Sequence, residues 1–216
     1  MTRLLYVEAS PRRGRAASSL AARRFLDAFA AADPMAEVDH LDLWATDLPR
    51  FDGATLDAKY AVLNRQPHGP GEAAAWAAII AAVDRLKAAD LMLLAVPMWN
   101  FSVPYVFKHW IDIVTQPTLT FSFSPEAGYR GLVQGKRAAV LYASGGDYRP
   151  GSGNPRPDLQ SPFVETWLRF IGITDITTAT VSPTLGPPDR VAAGQAEGLA
   201  RAVTLGRAFA EARDVA

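Results

Sequence analysis

Leu91-Met92-Leu93-Leu94-Ala95-Val96 is an unbroken apolar run held between Asp90 and Pro97. A strand with one wet face would alternate. A continuous run this short fits a strand buried on both faces of a parallel sheet. Just upstream, Glu72 to Ala89 reads as a helix, with Trp76, Ile79, Ile80 and Val83 at helical spacing. Just downstream, Pro104 suits a first helical turn, and Phe107, Trp110, Ile111 and Val114 make the inner stripe of the helix that follows. Helix, buried strand and helix in succession are the repeating pattern of an α/β sheet.

The same pattern continues in both directions. Leu4 to Val7 reads as a first strand, and its polar exit loop, Ser10 to Ser18, leads straight into a helix with Ala22, Phe25, Leu26 and Phe29 on one face. Ser18 or Ser19 is the expected cap of that helix. Val38 to Leu43 alternates and predicts an edge strand. Thr46 to Gly71 is irregular, with Pro49, Pro67 and Pro70, and predicts short helical pieces and an exposed excursion. Thr118 to Ser124 predicts a hairpin or flap, and Arg137 to Ala143 a second buried strand. Asp147 to Pro162 is rich in Pro and Gly. Phe163, Trp167 and Phe170 then mark a helix that Gly172 ends, Ile173 to Val181 a last strand, and Leu199, Ala202, Val203 and Phe209 a closing helix. Five main strands alternating with helices predict one doubly wound parallel sheet over residues 1–216, with helices on both faces, right-handed crossovers and strand order 2-1-3-4-5.

Composition excludes several function classes. Lys plus Arg and Asp plus Glu are both 22 of the 216 residues, so no basic surplus marks a nucleic-acid or anionic-membrane binder. The absence of Cys removes disulfides, thiolate metal sites and cysteine nucleophiles. His40, His68 and His109 lack metal-ligand spacing, and His109 reads as structural or solvent-facing. GxGxxG, GxxxxGK[ST] and G-x-S-x-G motifs are all missing. The first ten residues hold too short an apolar run for a signal peptide, and Pro97, Asn100 and Pro104 break the one long apolar stretch. A cytoplasmic protein is the expectation.

Strand order 2-1-3-4-5 locates the chemistry. Ligands of such sheets bind beyond the carboxyl ends of the strands at the switch point between strands 1 and 3. The loops Ser10–Ser18, Pro97–Phe101 and Ser144–Tyr148 are therefore expected to meet. The first offers a helix N-terminus, hydroxyls, and Arg12, Arg13 and Arg15 for a phosphate. The second sets Met98, Trp99 and Phe101 beside the amide of Asn100, which can donate to and accept from a heteroaromatic edge. The third has Gly145 and Gly146, which let a ligand approach the backbone. No paired carboxylates accompany these loops, and Asp147 stands by itself. That suggests a cofactor with its own reactivity.

Ser10-Pro11-Arg12, Ser18-Ser19, Pro97-Met98-Trp99-Asn100-Phe101-Ser102-Val103-Pro104, Lys108, Trp110-Ile111-Asp112, Thr120-Phe121, Gly131-Leu132, Gly135-Lys136, Ser144-Gly145-Gly146 with Tyr148, and Phe170-Ile171-Gly172-Ile173 run in order over nearly the whole chain. In these residues the chain resembles the FMN-dependent NADH azoreductase/quinone reductase family of the flavodoxin-like fold. The resemblance implies one tightly bound FMN per subunit and a homodimer with its sites at the subunit interface. It implies that Ser10, Ala16, Ala17 and Ser18 hold the phosphate, that Met98, Trp99, Asn100 and Phe101 line the ring, and that Ser144, Gly145 and Gly146 approach its pyrimidine end. Phe123 and Phe163 are candidate hydrophobic walls of the substrate pocket. No side chain is expected to act as an obligatory acid, because hydride transfer occurs at flavin N5. NADH is the implied donor, and quinones and aromatic azo compounds are the implied acceptors, in a ping-pong reaction. An electron carrier and an NAD(P)H-dependent FMN reductase are the alternatives, and the neutral charge speaks against the first. Where the family usually carries Ser-x-Ser, this chain has Ala16-Ala17-Ser18, so the phosphate depends more on backbone N–H groups, with the arginines as candidate helpers.

Overall fold

A computed structural model describes residues 1–64, 66–67, 69–149 and 151–211; His68 lies outside them. The elements are β1 (Arg3–Glu8), α1 (Ala17–Ala32), β2 (Glu37–Asp42), α2 (Gly53–Leu63), α3 (Pro70–Ala88), β3 (Leu91–Pro97), α4 (Tyr105–Val114), β4 (Phe121–Ser124), β5 (Gly128–Gly131), β6 (Arg137–Ala143), α5 (Ser161–Ile171), β7 (Asp175–Val181) and α6 (Pro188–Glu211). Five strands form one parallel sheet in the order β2-β1-β3-β6-β7, while β4 and β5 pair separately as an antiparallel hairpin. Without that hairpin the order is the expected 2-1-3-4-5.

The continuous apolar run of β3 serves both faces of the sheet. Met92, Leu94 and Val96 pack with Trp76, Ile79 and Val83 of α3, and with α4 and α5. Leu91, Leu93 and Ala95 pack with Phe25 and Phe29 of α1 and Leu205 and Phe209 of α6. β3 runs in register between Leu4–Glu8 of β1 and Arg137–Ala143 of β6, so every apolar residue finds a covered face. At the edge strand β2, Arg85 of α3 grips Asp39 through two hydrogen bonds of 3.0 and 2.6 Å, and these hold the carboxyl below its usual range.

Three local readings need correction. First, neither Ser18 nor Ser19 caps α1. The single turn Arg13–Arg15 carries the chain to Ala16, which is the cap residue and makes no side-chain cap bond; Leu20 N–H already donates to Ala16 O at 2.9 Å. Second, the irregular stretch 46–71 contains an eleven-residue helix, α2, capped by the Asp52 side chain. Third, the last strand begins at Asp175, because Ile173 belongs to the end of α5. Gly172 has φ 111° there, and the N–H groups of Gly172 and Ile173 donate to Arg169 O and Leu168 O, which closes a left-handed helix end.

Helices α1 and α6 lie unusually close. A Cβ on Gly206 would stand 2.3 Å from Phe25 O, and one on Gly194 would stand 2.2 Å from Ser182 O. Glycines on α6 thus set how tightly it seats against α1 and the end of β7. The placement of α1 matters because its N-terminus is part of the site.

Candidate flavin-binding site

The loops after β1, β3 and β6 meet. They enclose a cavity of about 410 Å³ lined by Ser10, Ala16, Ala17, Met98, Trp99, Ser144 and Gly145, together with Arg12, Arg15, Pro97, Ala143, Thr184 and Leu185. Backbone bonds tie the loops together: Ala9 N–H donates to Ala95 O at 3.1 Å, and Met98 N–H to Ala143 O at 2.7 Å. Thr184 and Leu185, after β7, were missed in the sequence reading. Their N–H groups donate to Ser144 O and Gly145 O at 2.9 and 3.2 Å. The signal was present, since β7 lies beside β6 and its exit loop must adjoin the third loop.

Each side of the cavity has a different character. On the α1 side, the first-turn N–H groups lack a side-chain cap. Ser18, expected at the site, is fully buried in that turn and does not line the cavity; its Oγ has no hydrogen-bond partner among the described residues. Ser10, also buried, accepts from Arg12 N–H at 3.3 Å. On the β3 side, Trp99 and Ser102 close a tight turn by donating to each other's carbonyl at 3.0 Å. Asn100 and Phe101 sit at its tip with φ 48° and 71°. Left-handed backbone at two successive non-glycine residues, one of them an aromatic, stores strain of a kind that clusters at functional sites. Trp99 is backed by Trp44, at 5.8 Å between ring centroids.

The remaining expected residues lie elsewhere. Asn100 and Phe101 are exposed on the turn and do not line the cavity. Gly146 follows the lining residue Gly145, and its carbonyl accepts from Ser144 Oγ at 2.8 Å. Phe123 lies on the β4–β5 hairpin, 61% exposed and against Tyr129. Phe163 is on α5, partly buried against the core. Neither phenylalanine borders the cavity.

Charge separates this cavity from its neighbours. Among the described residues its lining holds two cations, Arg12 and Arg15, and no carboxylate or histidine. A larger depression of about 690 Å³ lies across the first loop, but it also holds the acids Glu8 and Asp42, with Arg13 Nε 2.9 Å from Asp42 and His40 Nε2 3.1 Å from Glu8. Asp147, expected without a second carboxylate beside it, is paired with Arg149 at 2.8 Å, and that guanidinium holds its carboxyl below the usual range. The His109 ring lies 3.0 Å from Pro49 O, a structural role. Beside the cavity, Tyr142 Oη is buried without a partner among the described residues, and burial pushes its pKa well above the ordinary tyrosine value. The cavity is therefore suited to an anion at one end and a flat, hydrogen-bonding ring at the other.

Residues 2–205 match the family described as having the flavodoxin-like fold. The chain is 48% identical to the FMN-dependent NADH:quinone oxidoreductase of Desulfotalea psychrophila, over 86% of this chain and 87% of that protein. The chain belongs to the flavodoxin-like FMN-dependent NADH:quinone oxidoreductase family. It is also 44% identical to FMN-dependent NADH:quinone oxidoreductase 3 of Pseudomonas fluorescens, with 93% and 97% of the two chains covered. Among solved structures, an azoreductase from Bacillus anthracis superposes with a TM-score of 0.89 at 27% identity, covering 97% of this chain and all of that one. Within this quinone oxidoreductase family, the strand ends that form the cavity are the place where the fold binds its ligands.

Proposed function

We propose that this chain is an FMN-dependent NADH:quinone oxidoreductase that also cleaves aromatic azo compounds to amines, with residues 1–216 acting as one FMN-binding domain. The observation that carries the reading is a cavity at the strand ends whose described lining holds two cations and no carboxylate, set against the uncapped first turn of α1. These features fit a phosphorylated flavin. Ser10, the Ala16–Ser18 turn and the N–H groups of α1 hold the phosphate, where the helix dipole favours negative charge. Met98 and Trp99 lie along the ring, Ser144, Gly145 and Gly146 meet its pyrimidine end, and the exposed turn of Asn100 and Phe101, next in sequence to Trp99, stands at its outer edge. Bound FMN supplies two-electron redox chemistry. The protein stacks and orients the flat reactants, and it excludes water from one shared place, so donor and acceptor use that place in turn. This supports a ping-pong order.

The exposed aromatics support a homodimer with its sites at the subunit boundary. Phe101 is 46% exposed beside the cavity, and Phe123 and Tyr129 are exposed on the hairpin. In that arrangement the hairpin is available to a partner's site, and Phe123 and Phe163 serve as substrate walls there. No helix of the described residues is long and apolar enough to cross a membrane, in keeping with a cytoplasmic role.

The test is direct. Purified protein should be yellow, with a flavin absorption spectrum. It should oxidise NADH quickly only when benzoquinone is present, with parallel initial-rate lines as quinone is varied. A protein that stays colourless after incubation with FMN would end the reading. Activity that persists in a dilute monomer would end its dimeric part.

Asn100 offers a finer test. Asn100→Gly removes the amide but suits φ 48°, whereas Asn100→Ala also forces a side chain into the left-handed region. Both variants should shift the bound-flavin absorption bands and weaken FMN. Ala should also lower the melting midpoint, for about 1 kcal/mol of backbone strain that the free protein already carries, and Gly should not. Unchanged spectra in both variants would remove Asn100 from the site.

A further inference from the structure

Resting on the FMN reading above, we propose that Arg12 and Arg15 form a two-guanidinium clamp that selects the flavin phosphate as a dianion, doing in this chain what a hydroxyl at position 16 would otherwise do. The first loop carries three arginines close together, and the fold sorts them. Residues Arg13–Arg15 form a single tight turn, with Arg15 N–H donating to Arg12 O at 3.0 Å. With three residues per turn, positions three apart eclipse, so Arg12 and Arg15 share a side while Arg13 faces away. The contacts agree with this. Arg12 and Arg15 line the 410 Å³ cavity, and Arg13 lines the depression on the other side of the loop.

Their partners divide in the same way. Arg13 is committed to Asp42 at 2.9 Å. Arg23, the next cation along, donates to Gly14 O at 2.6 Å. Among the described residues, the side chains of Arg12 and Arg15 have no carboxylate or carbonyl partner. They stand beside the uncapped first turn of α1, where Ser18 Oγ is buried without a partner. Two free guanidiniums and a row of uncapped N–H donors, with no acid among them, match a phosphate monoester in its doubly charged form. The second proton of such a group comes off near pH ~6. The clamp therefore binds well above that pH and loosens as pH falls through it.

Equilibrium dialysis of the full chain against FMN, and separately against riboflavin, tests the clamp without any turnover measurement. Arg12→Ala and Arg15→Ala should each weaken FMN about tenfold, and the double variant about a hundredfold, consistent with charge-assisted hydrogen bonds at a cavity mouth. Riboflavin, which lacks the phosphate, should bind wild type and variants alike. Arg13→Ala should change FMN affinity less than threefold. The wild-type affinity for FMN should fall between pH 7.5 and 5.5, and the double variant should lose most of that pH dependence. FMN affinity within threefold of wild type in the double variant would overturn the clamp while leaving the FMN reading standing. Equal losses for FMN and riboflavin would also overturn it, because the arginines would then only shape the loop. A wild type that binds no FMN would overturn the clamp and the FMN reading together.

Discussion

Ala16→Asp is expected to make the flavin-free protein more stable and the flavin-bound protein nearly unattainable. Ala16 occupies the cap position of α1 with φ −86° and ψ 137°, and no side chain satisfies the first-turn N–H groups. Aspartate in that conformation accepts from those groups and complements the helix dipole, for about 1 kcal/mol. For a chain of this size that raises the melting midpoint of the apo protein by ~2–4 °C. The same carboxylate occupies the donors that a phosphate needs and repels its charge. FMN affinity should fall about a hundredfold, a loss of roughly 2.7 kcal/mol. Ala16→Asn separates the two causes. It caps without charge, so it should stabilise the apo protein similarly and weaken FMN much less. Thermal melts of apo protein together with FMN dialysis read both effects. FMN bound to Ala16→Asp as tightly as to wild type would mean that the phosphate does not sit at α1.

Gly206→Ala is expected to lower stability even though alanine is the better helix former. Propensity alone favours alanine in a helix interior by about 1 kcal/mol. At Gly206, however, the added Cβ would lie 2.3 Å from Phe25 O, a backbone atom that no rotamer change can move. Helix α6 must back away from α1, opening the seam where Phe25 and Phe209 meet edge to face at 5.3 Å. A net loss of about 2 kcal/mol is expected, from overpacking partly offset by propensity. That is a melting-midpoint drop of ~4–8 °C. Because the clash comes from Cβ itself, alanine should show most of the effect and leucine should add little. A stabilised Gly206→Ala would show that the two helices can part freely. Since α1 carries the phosphate turn, the variant should also hold FMN less tightly.

The fold was largely legible because its strongest signal is solvent exclusion. Residues 91–96 are apolar at every position, and only a strand covered on both faces satisfies that pattern. Strand order followed from the count of strands, and the meeting of the three loops followed from strand order. The errors are local. The serines at 18 and 19 have the chemistry of a cap, but the tight turn before them moves the helix start to a residue whose side chain caps nothing. Ile173 has the composition of a strand, yet the left-handed Gly172 spends it on closing α5.

What composition and spacing alone determined was the layered α/β architecture, the loops that must converge, and the mix of phosphate donors with a flat, amide-bearing wall. Those properties follow from hydrophobic periodicity and strand order, which are written along the chain. Only the folded molecule decided which arginines face the cavity, that Ser18 lies buried without a partner, that Thr184 and Leu185 close the fourth side, and that Asn100 and Phe101 turn outward on left-handed backbone. These depend on the handedness of one short turn and on contacts between residues far apart in sequence, where neighbouring side chains of the same type take opposite sides.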